Sequence, residues 1–445
     1  MGKIGSPGIC ASCKRIPRTQ IKRKSSIFWA LQMTYKLFSP FVTLCTIGFF
    51  ARLSYAMART PILPLFALSL GAKPEAIGFV VGASTITGIF FKLPAGTLSD
   101  IYGRYKMLLM SILVFALTPF VYYLVTNYWQ LVGIRFFHGL ATSIYGPVSM
   151  AMIADTAGGQ KGEKLSWFSS ITIIGNLVGA PLGGYILQYL GTNGSHTLSH
   201  FHIAYGICGL FGLISLAFTL KAFFSGNREI RQNKISLIDT WRKFSKGVRE
   251  VMSDYRVIIT SNMEGIQNLS VGALEAFLPV YAVTVAGLSA FQAGILWGAQ
   301  IVTTILAKPI MGKISDRYGR KPIIISGMWI CAIPFACIPL TRDFYLLLSL
   351  AAVFGVGEAF VTSSSAAMVA EFCKEQHYGA AMGIFGSLFD IGHASGPILA
   401  GFLLAHLSYQ YSFLIISTLL ILASFVFVLT VFERKRTIFK SGGIT

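Results

Sequence analysis

The chain has 445 residues, of which 54% are hydrophobic and only 12% charged, against about 25% charged in ordinary soluble domains; a water-soluble globular protein is excluded. Its net charge of +20 would suit nucleic acid, but the distribution points elsewhere. With the N-terminus placed in the cytoplasm, all 37 Lys and Arg fall in cytoplasmic segments except Lys73 and Arg342 outside and Arg52, Arg59 and Arg135 within helices, the positive-inside bias of a membrane protein.

In chain order, residues 1–39 read as a basic cytoplasmic tail with an amphipathic lead-in. Its first 26 residues are too poor in large apolar side chains for a cleavable signal. Cys10 and Cys13 form a lone CxxC, too few ligands for a structural zinc site, so no metal is expected. Twelve apolar blocks follow, near 40–68, 75–95, 107–126, 129–153, 165–190, 202–223, 257–285, 290–311, 322–340, 344–370, 379–406 and 410–432. Each is long enough to cross a hydrocarbon core ~30 Å thick. Each must be helical, because lipid cannot satisfy exposed backbone groups. These are spans one to twelve. Residues 40–223 are read as an N-terminal six-helix bundle and 257–432 as a C-terminal one. Between them 224–256 is a cytoplasmic linker, and 433–445 a cytoplasmic tail. In the linker Ile235, Ile238, Trp241, Val248 and Met252 recur at helical spacing, which suits an amphipathic helix on the inner membrane surface. Asn193-Gly-Ser195, in the loop before span six, is a weak glycosylation triplet. The remaining cysteines sit in or beside spans as small buried hydrophobes.

Gly96-Thr-Leu-Ser-Asp100-Ile-Tyr-Gly103-Arg104 recurs 216 positions later as Gly312-Lys-Ile-Ser-Asp316-Arg-Tyr-Gly319-Arg320. The same offset relates Lys92 to Lys308, Gly71 to Gly287, Gly78 to Gly294, Gly139 to Gly355, Asp155 to Glu371 and Pro181 to Pro397. These anchors mean two copies of one unit, and in a chain this apolar repeated halves point to a transporter with its substrate site between them. The repeated segment is read as a cytoplasmic loop following spans two and eight, where glycine lets backbones meet closely at a tight turn. Arg104 and Arg320 are placed to pair with Asp100 and Asp316.

Ionisable residues at membrane depth are costly and count as functional candidates. Spans three, six, nine and twelve carry none in their central portions. Span one has Arg52 and Arg59, span four Arg135 with His138, span seven Glu264 and Glu275 with Asn268, span ten Glu358, and span eleven Asp390 with His393. Arg52 and Arg59, seven apart, lie on one helical face within ~20°; Glu264, Asn268 and Glu275 share another. The first half contributes arginines and the second carboxylates. Arg59 and Glu275 occupy equivalent repeat positions, so a salt bridge between halves is expected to close an outer gate. Proton coupling needs a buried carboxylate, and Glu358 and Asp390 are the candidates. Asp390 is favoured because His393, one turn away, is expected to pair or exchange a proton with it. No nucleophile–base set, metal-ligand spacing or nucleotide-binding glycine loop is present, so neither enzyme activity nor a cofactor is expected.

Twelve helices in two halves, with Gly-x-x-x-Asp-x-x-Gly-Arg after spans two and eight, resemble the major facilitator superfamily over nearly the whole chain. The copy from Gly312 to Lys321 has the full family pattern, including Arg317; the first has Ile101 and Tyr105 where basic residues belong. The resemblance implies an all-α membrane fold of twelve transmembrane helices in two pseudo-symmetric six-helix bundles. Spans one, four, seven and ten chiefly line its cavity, and three, six, nine and twelve face lipid. It also implies that Asp155 and Glu371 join the Arg104 and Arg320 clusters, which lock the outward-facing state and break as the halves rock. In span five, Gly175, Gly179, Pro181, Gly183 and Gly184 are similar to an exporter signature, with Ala180 inserted before the proline and a fainter repeat at Gly392, Gly396 and Pro397. That signature implies proton-coupled efflux, and small residues four apart let helices touch. Arg135 with Gly139 resembles a span-four element associated with proton transfer. The aspartate of drug–proton exchangers in span one is missing, and Arg52 stands in its region, which favours an anionic or zwitterionic substrate. The expected protein is a monomeric secondary active transporter in the cell membrane, both termini cytoplasmic. It would move a small organic solute by alternating access, as proton-coupled efflux, with protons and membrane lipids as its other partners. The alternatives are an importer or exchanger of organic anions gripped by Arg52 and Arg135, or a non-transporting receptor or scramblase on the same fold.

Overall fold

The computed structural model describes residues 39–156, 160–191, 197–224, 248–373 and 378–431. Cys10, Cys13, the triplet at Asn193, the linker positions Ile235, Ile238 and Trp241, and the C-terminal tail lie outside the described residues. Among those described, every regular element is a helix. Span one is Pro40–Arg59, continued past Thr60 and Pro61 by Ile62–Ser69; span two is Pro74–Tyr102; span three is Arg104–Val121 with the short turn Tyr122–Leu124; span four is Tyr128–Thr156; span five is Lys161–Leu190; and span six is Leu198–Phe224. Span seven is Tyr255–Thr284, eight Ala290–Tyr318, nine Arg320–Cys337 with Ile338–Leu340, ten Phe344–Phe372, eleven Tyr378–His406 and twelve Tyr409–Thr430. Among the described residues, eleven helices are long and apolar enough to cross a membrane. The twelfth, span four, carries Gln130, Arg135 and His138; it is 29 residues long and packs against spans two and three.

The sequence repeat is written into the backbone. Spans two, three and four begin and end at positions that eight, nine and ten reproduce at the 216-residue offset, short turns included. The positive-φ glycines form two pairs at that offset, Gly71 (78°) with Gly287 (70°) and Gly103 (95°) with Gly319 (95°), in a region only glycine enters at little cost. One expectation is corrected here. Gly96–Tyr102 and Gly312–Tyr318 are not loops but the last turns of spans two and eight, and the turn itself is the single residue Gly103 or Gly319. An apolar run ends at the edge of the hydrocarbon layer, but helical hydrogen bonds continue past it. Nor does Gly312 serve close contact, since a Cβ there would meet nothing within 4 Å.

Span one breaks where sequence physics places the break. The residue before a proline is pushed out of the α region, and Thr60 is extended, at φ −132° and ψ 125°. The break sets Arg59 and Thr60 side by side toward span seven.

Within the first half, span one packs on five and six, and four on two and three; within the second, seven packs on ten, eleven and twelve, and nine on ten and twelve. The halves meet where span two crosses eleven and five crosses eight. A Cβ on Gly78 would lie 2.3 Å from the Pro397 carbonyl oxygen, and one on Gly294 2.7 Å from that of Ala180. Gly78 with Gly294 and Pro181 with Pro397 are repeat partners, so the two crossings are related as a pseudo-two-fold axis requires. Leu113, Leu210, Ile333 and Leu422, on spans three, six, nine and twelve, point outward and exposed, an apolar surface suited to lipid.

Candidate functional site

Among the described residues two ion pairs cross the seam, each taking its cation from the first half. Arg59 Nη2 donates to Glu275 Oε2 at 2.6 Å, and its Nε lies 2.5 Å from Oε1. Thr60 Oγ1 donates to the same Oε1 at 3.1 Å. An enclosed pair repays its desolvation only when remaining lone pairs are also satisfied, and Thr60 does this because the proline break delivers it. His393 Nε2 sits 3.4 Å from Glu275 Oε2. The second pair is Lys92 with Asp390, Nζ lying 2.7 and 2.5 Å from the two carboxylate oxygens.

Both pairs bear on the sequence reading. Arg59 and Glu275 are brought together. Asp390 and His393 are not partners: the histidine turns to Glu275 and the aspartate to Lys92. Lys92, counted with the cytoplasmic charges, lies inside span two and spans the seam. Its side chain is 47% exposed while that of Asp390 is 6% exposed, so the long stem carries its ammonium to a buried acid.

In the first half, Arg135 and His138 are completely buried. Arg135 Nη2 donates to Ser84 Oγ at 2.6 Å and to Tyr55 Oη at 3.3 Å, with its guanidinium 5.3 Å from the Tyr55 ring centre. His138 packs edge-on against Tyr55 and Phe115, at 4.9 and 5.5 Å. Arg52 does not join Arg59; its guanidinium lies 5.3 Å from the Tyr145 ring.

The second half holds carboxylates on neutral donors. Glu264 accepts from Ser365 Oγ at 2.7 Å and from Asn268 Nδ2 at 3.1 Å. Glu358 Oε2 accepts from Gln300 Nε2 and from Thr304 Oγ1 at 3.2 Å. Glu264 is fully buried. Lys308, the repeat partner of Lys92, is within electrostatic reach of both acids. Among the described residues neither acid has a basic group at ion-pair distance.

The motif clusters form as expected where they are described. Arg104 pairs with Asp155; Arg320 pairs with Asp316 and, at 3.2 Å, with Glu371. Arg104–Asp155 ties span three to four, Arg320–Asp316 span nine to eight and Arg320–Glu371 span nine to ten, so each of these described pairs lies within one half. Arg317 lies over the Tyr318 ring, 5.6 Å from its centre. The side chain of Asp100 lies outside the described residues. The span-five motif has two faces. Gly175, Gly179 and Gly183 pack on the span-one backbone at Phe49, Leu53 and Met57, and Gly184 packs on Ala290 of span eight. In span eleven Gly392 and Gly396 pack the same way on Gly265 and Leu269, the repeat partners of Phe49 and Leu53. The inserted Ala180 is thus visible as a one-residue slip between the glycines, which match at 217, and the prolines, which match at 216.

Sequence reasoning missed Tyr55, Ser84, Gln300 and Thr304, which hold the charged groups, and the roles of Lys92 and Lys308; Ser365, read as part of a polar stripe with Glu358 and Thr362, donates instead to Glu264. For the lysines a signal existed, since they are repeat partners at the ends of apolar blocks. The neutral residues carry no signal apart from being polar within a span.

Among solved structures, a crystal structure of a mutant of the nucleoside transporter NupG matches 88% of this chain and 99% of its own with a TM-score of 0.74 and 15% identity. An uncharacterized MFS-type transporter of Methanocaldococcus jannaschii is 24% identical over 82% of this chain and 89% of its own. The multi-drug resistance efflux pump PmrA homolog of Lactococcus lactis is 23% identical over 81% and 87%. The model of the Major Facilitator Superfamily matches residues 44–302 and 265–442. With this fold, this repeat and charges gathered along the seam of the halves, the chain belongs to the major facilitator superfamily, a multi-pass membrane transporter and not an enzyme.

Proposed function

We propose that the protein exports a small amphipathic organic compound in exchange for protons, working as a monomer by alternating access in the cell membrane with both termini in the cytoplasm. The two rocking units are residues 40–223 and 257–432. The observation that carries the proton exchange is the placement of Glu264, fully buried on span seven, and Glu358, half-buried on span ten, both held by neutral donors, with Lys308 near but no basic group at ion-pair distance among the described residues. An ionised carboxylate enclosed without a cation costs several kcal/mol. Binding a proton removes that cost, and a group presented alternately to the two sides then moves a proton each cycle. Asp390, favoured from the sequence, is committed to Lys92 and suits a gate better than a carrier. Kinship with a pump named for multi-drug resistance efflux and the basic cytoplasmic segments support direction and orientation.

The test is transport in reconstituted vesicles under an imposed pH gradient, with a panel of labelled lipophilic cations and organic anions. The parent should accumulate a lipophilic compound against its gradient. Glu358→Gln and Glu264→Gln should lose that accumulation and keep substrate exchange, whereas Asp390→Asn should still respond to the gradient. If both glutamine variants respond like the parent, proton exchange does not run through these residues. Arg52 favours a second reading: it is half-buried, and among the described residues it has no carboxylate partner. Gradient-independent exchange of organic anions, lost in Arg52→Gln, would establish that reading instead.

A further inference from the structure

The first half buries a cluster of polar side chains around span four that the proton reading leaves unused. Arg135 is wholly buried, and among the described residues no carboxylate pairs with it. Its Nη2 is taken by Ser84 and Tyr55, but Nε and Nη1 have no protein acceptor. The hydroxyls of Tyr55, Tyr122 and Tyr205 lie around it. Tyr205 spends its hydroxyl on the Ala58 carbonyl at 3.3 Å and stacks on Tyr122 at 4.0 Å. The Tyr122 hydroxyl is buried beside the Arg135 guanidinium and has no acceptor for its own proton among the described residues, where both ring nitrogens of His138 also lack a partner. Arg59, across the Tyr55 ring at 5.8 Å, adds a second guanidinium, but Glu275 neutralises that one.

The cluster therefore has a surplus of donors and one uncompensated positive charge: two N–H groups of the Arg135 guanidinium, a phenol and an imidazole N–H. Aromatic rings, whose edges carry partial positive charge, lie around it. A lone buried guanidinium is strongly disfavoured unless an anion accompanies it. Complete burial of Arg135 and His138 excludes a large organic anion in this state, and a divalent one would overcompensate a single charge.

We infer that this cluster binds a small monovalent inorganic anion, of which chloride is the physiological example, as the counter-ion of Arg135. The assignment is confined to the first half. At the repeat offset Tyr55, Tyr122, Arg135 and His138 become Val271, Ile338, Ala351 and Phe354, so every donor is lost together with the cation.

The experiment is thermal unfolding of the purified full-length protein while sodium gluconate is replaced stepwise by sodium chloride at constant ionic strength. Tm should rise saturably with chloride, and bromide should substitute for it. Arg135→Gln should abolish the rise. Because that variant removes a buried charge and can fail to fold, Tyr122→Phe, which keeps the stack on Tyr205, provides an independent arm. It should raise the half-saturating chloride concentration by roughly tenfold, the worth of one hydrogen bond to a charged group. A Tm indifferent to chloride in the parent overturns the inference. So does an unchanged chloride response in Tyr122→Phe, which would place any bound anion elsewhere.

Discussion

Around Ser84 in the first half and Gln300 in the second, one helix crossing serves opposite charges. Gly139 lies against the Ser84 carbonyl as Gly355 lies against that of Gln300, and a Cβ on either would come within 2.3 Å of the oxygen. The side chains beside these contacts diverge: Ser84 receives the cation Arg135, whereas Gln300 donates to the anion Glu358. The two charges are not exchanged at one position, since Arg135 corresponds to Ala351 and Glu358 to Thr142. Backbone contact sets a steric limit that tolerates no drift, while a polar side chain beside it can change sign if its partner changes too. The asymmetry extends to the seam, where both crossing pairs draw the cation from the first half and the anion from the second.

Removing one member of the enclosed seam pair should have the largest effect. Glu275→Ala leaves Arg59 without its counter-charge and should cost about 3–5 kcal/mol, read as a fall in Tm, with the Arg59→Ala/Glu275→Ala double variant recovering part of the loss. Parent-like stability in Glu275→Ala would mean that this pair does not hold the halves together. Next come the residues that hold the opposite charges. Ser84→Ala and Gln300→Ala each remove a hydrogen bond to a charged group, about 1.5–3 kcal/mol. Only Gln300→Ala should alter the pH profile of transport; equal profiles would erase the functional difference between the halves.

The shared crossing is tested by Gly139→Ala and Gly355→Ala, which should be destabilising to a similar degree, about 1–3 kcal/mol each by overpacking. If only one of them lowers Tm, the crossings are not mechanically equivalent. The smallest effect lies at the caps. Span one is capped by Ser39, whose side chain accepts from Val42 N, and span seven by Asp254, which accepts from Arg256 N. Arg256 holds the Asp254 carboxyl below its ordinary value, chiefly through a side-chain hydrogen bond. A folded-state value below the unfolded one means a contribution fully present above the unfolded value of about 3.9 and lost as pH falls through the lower folded one. Asp254→Ala should cost about 1 kcal/mol at neutral pH. The difference from the parent should shrink in acid, whereas that of Ser39→Ala should not change with pH. A pH-independent Asp254→Ala difference would remove the electrostatic part of the cap.

Much of the fold was legible because its causes are local. Hydrocarbon thickness fixes span length, and glycine at Gly103 and Gly319 marks turns that no other residue enters cheaply. The pairing of Arg59 with Glu275 was legible too, since the repeat itself sets them at equal depth. The partner of Asp390 was not. His393 is nearer in sequence, but its ring faces span seven, and Lys92 reaches the acid from another helix at an angle that spacing cannot reveal. The motif glycines misled for a related reason: a loop was inferred where polarity began, and the helix simply ran on.

The sequence alone determined the solvent, the number of spans, the repeat and the sign of charge in each half, because desolvation and periodicity act along the chain one segment at a time. Only the tertiary structure decided which charge meets which: Lys92 with Asp390, His393 with Glu275, Arg135 with tyrosine and serine, Glu358 with Gln300. Those pairings depend on the rotation and depth of helices far apart in the chain. They are set by where glycines let the backbones touch, so they arise only once all the helices are packed.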